Sequence, residues 1–462
     1  MSAMTADETA TDRRHVPEAS VPGRVFSRVL TRALPIAVRA SGAEIWDRDG
    51  RRYLDAAGGA IVVNVGHGRE SVGRAMAEQA GRVAFAHGSA FSSEPLEAYA
   101  AELGPLLPLD EPAIYPVSGG SEAIETALKM ARAYHLARGE ADRQIVIARW
   151  GSYHGNTLGA LDLSGRAPLR RPYEGWLGRF RHVSAAYPYR AGEPDAHALG
   201  SADDAAAELD RVITTAGPAS VCAFVAEPVV GATLGAVSPP PGYWPAIAEV
   251  CRRHGVLLIA DEVMTGFGRT GRWFAMEGFG VRPDLLVAAK GATGGYWPLG
   301  LVAADGRIFD TIRRRGTFVH GFTYSHSVVG AAVAREVLRI LRAEDLVAAS
   351  ARQGALLARE LHRAFDGHPN AGEVRALGLM AAVELVEDRE TRRPFPRALQ
   401  VTERVLAAGR EAGVMFYSGT GNANGIDGDI VMVGPPFVVT DGQVREIADA
   451  MRNAVDAAVA AG

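Results

Sequence analysis

The stretch Asp284-Leu285-Leu286-Val287-Ala288-Ala289-Lys290-Gly291-Ala292-Thr293-Gly294-Gly295 decides the fold of this chain. Its apolar run has the length and composition of a strand buried on both faces, and the glycines behind it mark a turn. A lysine at such a strand end is costly, because an ammonium loses its hydration there. The same desolvation lowers its pKa and frees the neutral amine as a nucleophile. A second apolar run, Gly255-Val256-Leu257-Leu258-Ile259-Ala260, ends in Asp261-Glu262-Val263. Open α/β sheets bind ligands beyond the carboxyl ends of their strands, so Lys290 and Asp261 are expected at one crevice. An amine facing a carboxylate suits a Schiff-base cofactor with a protonated ring nitrogen, which is pyridoxal 5'-phosphate.

Working outward, residues 75–330 alternate helical patterns with short apolar runs at 144–148, 221–226, 256–260 and 285–289. That alternation predicts an α/β fold with a mostly parallel, mixed sheet flanked by helices. Upstream, Asp49-Gly50 between the runs 43–47 and 53–55 signals a hairpin. Downstream of 335 the chain is helix-rich, with strand-like runs at 378–385 and 430–433. The expected division is a mobile tail over 1–20, an N-terminal segment of a smaller α+β domain over 21–75, a large cofactor-binding domain over 76–335, and the C-terminal part of the small domain over 336–462. The tail is polar and has no apolar stretch of the kind a signal peptide carries. No run approaches the roughly 20 apolar residues that cross a bilayer. A net charge of −4, with arginines scattered among acids, gives no electrostatic case for nucleic acid or a membrane surface. Cys222 and Cys251 stand in apolar surroundings and read as reduced core thiols of a cytoplasmic enzyme.

Three further segments carry chemistry. Ser118-Gly119-Gly120-Ser121-Glu122 opens a helical stripe of Ile124, Ala127, Leu128 and Ala131. The free N–H groups at that turn suit a phosphate, with Gly120 and Ser121 as donors, although small residues also cap helices for structural reasons alone. Trp150-Gly151-Ser152-Tyr153-His154-Gly155-Asn156-Thr157 follows the run at 144–148. Tyr153 can stack on a flat ring, while His154 reads either as a base or as a structural histidine. The other histidines lack metal-ligand spacing, so no metal site is expected. Gly266-Phe267-Gly268-Arg269-Thr270-Gly271 fits a dinucleotide fingerprint, but no amphipathic helix opens after it, which weakens a nicotinamide reading.

Together these segments resemble the class III aminotransferases, pyridoxal-phosphate enzymes of the aspartate aminotransferase fold. The resemblance runs from Asn64-Val65-Gly66-His67 to Pro435-Pro436, and is densest at Asp261–Gly271, Lys290 and Gly295-Tyr296-Trp297-Pro298-Leu299-Gly300. It implies that Lys290 holds the cofactor as an imine and shuttles a proton, and that Asp261 pairs with the ring nitrogen. It implies Val263 and Tyr153 on the two ring faces, Gly120 and Ser121 at the phosphate, and Glu227 and His154 close by. From His320-Gly321-Phe322-Thr323-Tyr324 it implies that Phe322 and Thr323 reach the cofactor of a second subunit, in a homodimer with shared sites. Ile61 and Phe85, with Tyr153, are implied at the substrate pocket. Two departures narrow the substrate: Ala232 stands where glutamate users carry a second acid, and residues 424–433 lack the arginine that clamps a carboxylate. The resemblance therefore implies transfer from a primary amine or ω-amino acid to a 2-oxo acid or aldehyde. Aminomutation, decarboxylation, racemisation and phospholysis are the alternatives on the same scaffold.

Overall fold

Seven strands form the central sheet of the computed structural model, which describes residues 25–29, 32–193 and 195–460. The tail expected over 1–20 lies outside the described residues. In chain order the strands are β1 (Ala113–Val117), β2 (Ile145–Arg149), β3 (Arg181–Val183), β4 (Val221–Ala226), β5 (Leu257–Asp261), β6 (Leu285–Ala288) and β7 (Gly300–Ala304). Their order across the sheet is β1-β7-β6-β5-β4-β2-β3. Neighbours from β6 through β3 are parallel, whereas β7 runs antiparallel to both β6 and β1. The mixture has a local cause. The connection over 289–299 holds only a short 3-10 turn, and a parallel return needs a longer crossover.

Side chains leave the sheet alternately, so each strand feeds two cores. Leu257 and Ile259 join Ile124, Ala127 and Val287 under the helix Gly120–Ala137. Leu258 and Ala260 join Trp244, Ile247 and Leu209 beneath the helices Ala202–Ala216 and Tyr243–His254. Both cysteines are buried and unpaired, and burial pushes each thiol up to about 12.

Besides the two-stranded pair Ala185–Ala186 and Ala198–Leu199, two smaller sheets lie outside this unit. One is the antiparallel meander Ala37–Ser41, Glu44–Asp47 and Arg52–Leu54, turned at Asp49-Gly50. The other pairs Ala371–Leu377, Met380–Leu385, Asp429–Val433 and Tyr417–Thr420 in that spatial order. The strand read over 378–385 starts two residues late, because Gly378 turns the hairpin at φ 55°. A Cβ there would sit 2.3 Å from the Thr270 carbonyl carbon. Leu54, at the end of the first of these sheets, forms an isolated bridge with Val414, three residues before the strand Tyr417–Thr420 of the second. The cuts expected at 75/76 and 335/336 fall inside the helices Glu70–Arg82 and Val328–Ala343. Among the described residues no helix is long and apolar enough to cross a membrane.

Candidate active site

Parallel pairing of β5 with β6 sets Asp261 opposite Val287, so both strands end on the same edge of the sheet. Lys290 follows three residues on, in a left-handed backbone conformation (φ 41°) that a non-glycine residue adopts at a cost. Asn64 holds this turn: its Nδ2 donates to the Gly291 carbonyl at 2.9 Å, and its Oδ1 accepts from the Val65 N–H at 2.8 Å. The glycines after Lys290 therefore serve close approach, since a Cβ on Gly294 would lie 2.8 Å from the Asn64 oxygen.

Lys290 and Asp261 line one cavity of about 420 Å³. Desolvation lowers the Lys290 ammonium to about 8, and the carboxylates of Glu227 and Asp261 only partly counter it. Asp261 is buried, accepting from the Val263 N–H at 3.0 Å and contacting His154 Nδ1 at 2.7 Å. His154 is anchored in turn by its own N–H on Ser164 Oγ at 2.8 Å, and its Nε2 is buried without a partner. Glu227 accepts the Tyr153 and Gly231 N–H groups, each at 3.0 Å, and burial raises its pKa.

Gly119, Gly120 and Ser121 close one end of the cavity, where the helix Gly120–Ala137 begins without a side-chain cap. Its first N–H groups point outward with the positive end of the helix dipole behind them. Tyr153, His154, Glu227 and Val263 line the same space.

Four expected site residues lie elsewhere in the single chain. Ile61 is buried at φ 57° in an apolar cluster with Met264, Met380 and Met432, and its neighbour Val62 forms the cavity wall instead. Phe85 is 52% exposed and stands edge-on to Tyr324. Phe322 is half-buried against the core under the helix Gly120–Ala137, and Thr323 is exposed. Sequence reasoning gave no pocket role to Val62, Met264 or Trp297, which line the cavity. Trp297 sat in a quoted motif, so its signal was present; Val62 differs from Ile61 by one backbone turn that no pattern announces.

The dinucleotide-like segment has a different role. No helix opens at Gly266–Gly271, and Arg269 is buried there. It donates to the carbonyls of Val63 at 3.0 Å, Leu379 at 2.9 Å and Pro435 at 2.7 Å, and burial lowers its pKa to about 9. The glycines let the backbone wrap this clamp, which ties three distant segments together behind the site. Among the described residues no cluster suited to a metal ion occurs.

The family model described as Aminotransferase class-III matches residues 26–455. An uncharacterized aminotransferase, YodT, of Bacillus subtilis is 39% identical over 90% of this chain and 94% of its own length. The putrescine–pyruvate aminotransferase of Pseudomonas aeruginosa is 33% identical over 97% of this chain and 95% of its own. An amine transaminase from an uncultivated Pseudomonas species, solved in a PLP-bound internal aldimine form, superposes with a TM-score of 0.85 at 35% identity, covering 96% of this chain and 98% of that one. Class III enzymes with such a cofactor imply pyridoxal phosphate for this fold. A sheet that delivers a desolvated lysine and a buried aspartate to one cavity, and a match along nearly the whole length, agree: the chain belongs to the class III aminotransferases and is a transaminase.

Proposed function

We propose that this transaminase takes its amino group from a primary amine or ω-amino acid and passes it to a 2-oxo acid or aldehyde in two half-reactions. The cofactor in this reading is pyridoxal 5'-phosphate held by Lys290. The observation that carries the reading is the shared cavity of Lys290 and Asp261, at adjacent strand ends. The surroundings fit the group. Gly155 (φ 141°) lets residues 153–156 lie against Ser121, since a Cβ there would fall 2.3 Å from Ser121 Oγ. That approach leaves an uncapped helix start at a space lined by glycine, and Asp261 lines the same space.

When bound, pyridoxal phosphate supplies an aldehyde that joins primary amines and a ring that withdraws electrons from the substrate carbon. The protein provides the rest. Lys290 offers an amine that is half neutral near pH 8, and then carries the proton to and from the substrate carbon. Asp261 keeps the ring nitrogen protonated, with Val263 N–H and His154 fixing its orientation. Gly120 and Ser121 would hold the phosphate at the uncapped helix start. Val263 and Tyr153 line the space that would take the ring, and Glu227 accepts the Tyr153 backbone N–H.

The donor preference rests on the cavity lining. No arginine contributes to it among the described residues, and Val62, Ala232, Met264, Trp297 and Leu299 make much of the wall apolar. A dicarboxylate donor would find no bidentate partner there. The putrescine–pyruvate relative supports an amine donor with a 2-oxo acid acceptor. The exposed positions of Thr323, Tyr324 and Phe85 support a homodimer in which the partner's Thr323 completes the phosphate site. Reduced buried thiols support a cytoplasmic location. Borohydride reduction followed by peptide mapping tests the central claim: the phosphopyridoxyl group is expected on Lys290, and labelling of any other lysine overturns it.

A further inference from the structure

Ala232 reaches the active-site cavity from a segment that is neither helix nor strand. Val230 and Val237 pair as an isolated bridge, and residues 231–236 loop between them. The loop ends in two left-handed residues, Gly235 at φ 75° and Ala236 at φ 55°. Such a backbone persists only where its surroundings hold it. On the side of the central sheet, Glu227 accepts the Gly231 N–H at 3.0 Å and the Thr233 hydroxyl donates to the Gly151 carbonyl. The other side rests on the four-stranded small sheet. A Cβ on Gly235 would lie 2.5 Å from Ile430 Cγ2, and one on Gly419 would lie 3.1 Å from the Ala232 carbonyl oxygen.

Arg375, on the small-sheet strand Ala371–Leu377, reaches across to this loop. Its Nε donates to the Gly235 carbonyl and its Nη2 to the Leu234 carbonyl, both at 2.7 Å. Neither carbonyl accepts another hydrogen bond among the described residues. The third nitrogen, Nη1, donates to Glu384 Oε2 at 2.8 Å. Glu384 is fully buried, and its Oε1 accepts from Arg190 Nε at 2.7 Å and Asn422 Nδ2 at 2.8 Å. Burial opposes the charge on Glu384, but Arg375 and Arg190 hold its pKa below the ordinary value. A buried ion pair is by itself weak ground for stability, since apolar side chains of similar volume often serve as well. What they cannot replace is a planar fork that satisfies two buried carbonyls at once.

We infer that Arg375 is a positioning residue that sets the width of the substrate pocket, by holding the loop that carries Ala232 against the small sheet. This rests on the amine-donor reading above and deepens it, by naming a determinant of donor size that never touches the donor. Ala232 packs in one apolar cluster with Met264, which also lines the cavity, and with Met380, Ala382, Ile430 and Met432 of the small sheet. Loosening the loop therefore lets that wall retreat, and the gain falls to donors that need the room.

The test compares the holoenzyme with its Arg375→Lys, Arg375→Met and Arg190→Lys variants. Arg375→Lys keeps a charge for Glu384 but lacks the fork that spans both carbonyls. With pyruvate saturating, the kcat/KM ratio of naphthylmethylamine to propylamine is expected to rise roughly threefold to thirtyfold in Arg375→Lys and Arg375→Met, the usual reach of a remote substitution. Arg190→Lys disturbs the same carboxylate without contacting the loop, so its ratio should stay within twofold of wild type. Amide hydrogen exchange at Gly231 and Gly235 should quicken roughly tenfold or more in Arg375→Lys alone. A ratio in Arg375→Lys that falls or stays within twofold of wild type, an equal rise in Arg190→Lys, or unaltered exchange overturns the inference. Should Arg375→Met fail to fold, the lysine variant still decides. The exchange arm needs no turnover, so it reads the tie to the loop even if the wild type proves inactive toward every amine, which would sink the donor assignment separately.

Discussion

His154 Nδ1 lies 2.7 Å from Asp261 Oδ2, and both side chains are buried. With the Val263 N–H on the other carboxylate oxygen, Asp261 cannot rotate without breaking a hydrogen bond in a dry setting. The histidine is thereby a positioning residue for the carboxylate, and its unpartnered Nε2 marks a buried polar edge beside the cavity.

Replacing His154 should therefore act through Asp261. His154→Ala is expected to weaken cofactor binding by roughly tenfold to a hundredfold, since a buried hydrogen bond to a charged group is worth about 1.5 to 3 kcal/mol. Absorbance titration of the apoenzyme with pyridoxal phosphate measures it. Unaltered affinity would show that Asp261 needs no such support.

Lys290 carries the pH dependence. Its folded pKa of about 8 lies below the ordinary 10.5, so the ammonium is the disfavoured form in the native protein. Capture of the cofactor aldehyde by the apoenzyme needs the neutral amine, so its rate should rise from pH 7 to 9 and level above. Between about 8 and 10.5 the unfolded chain holds the extra proton, so the apoenzyme should also gain stability as pH rises through that window. Stopped-flow absorbance and urea unfolding across the range test both signs.

Lys290→Ala should keep the cofactor bound through its phosphate while losing turnover by roughly a hundredfold or more, the usual contribution of a positioned proton carrier. Single-turnover absorbance changes give the readout. Wild-type rates in that variant would remove Lys290 from the chemistry.

Val62 and Ile61 separate packing from pocket. Val62→Phe should lower kcat/KM for bulky amines more than for small ones, because Val62 lines the cavity. Ile61→Trp should instead destabilise the fold by roughly 1 to 3 kcal/mol through overpacking, with Gly434 already close enough that its Cβ would lie 2.7 Å from Ile61 Cγ2. A donor panel and a thermal melt on each variant distinguish the two effects.

Arg269 is a structural clamp. Arg269→Ala strands the carbonyls of Val63, Leu379 and Pro435 in the interior and should cost roughly 3 to 5 kcal/mol. Denaturant unfolding measures it, and nicotinamide binding is expected in neither form.

Much of this molecule was readable along the chain. Strand runs at 144–148, 221–226, 256–260 and 285–289 lie within a residue or two of β2, β4, β5 and β6, because a strand buried on both faces needs a continuous apolar run. β7 had no such announcement of direction: Gly300–Ala304 is apolar either way, and only the short return from Lys290 makes it antiparallel. The helix at Gly120 was visible through its glycine start and its stripe, since capping and periodicity are local properties.

Residue chemistry at strand ends is also local, so Lys290 and Asp261 were legible as a reactive amine and an acid. Their sharing of one cavity depended on parallel register, which pairs Asp261 with Val287 across separate segments. Contacts between distant residues answer to packing that no neighbouring pattern encodes. That is why Val62 displaced Ile61 at the wall, and why Arg269 turned a nucleotide-like glycine run into a clamp.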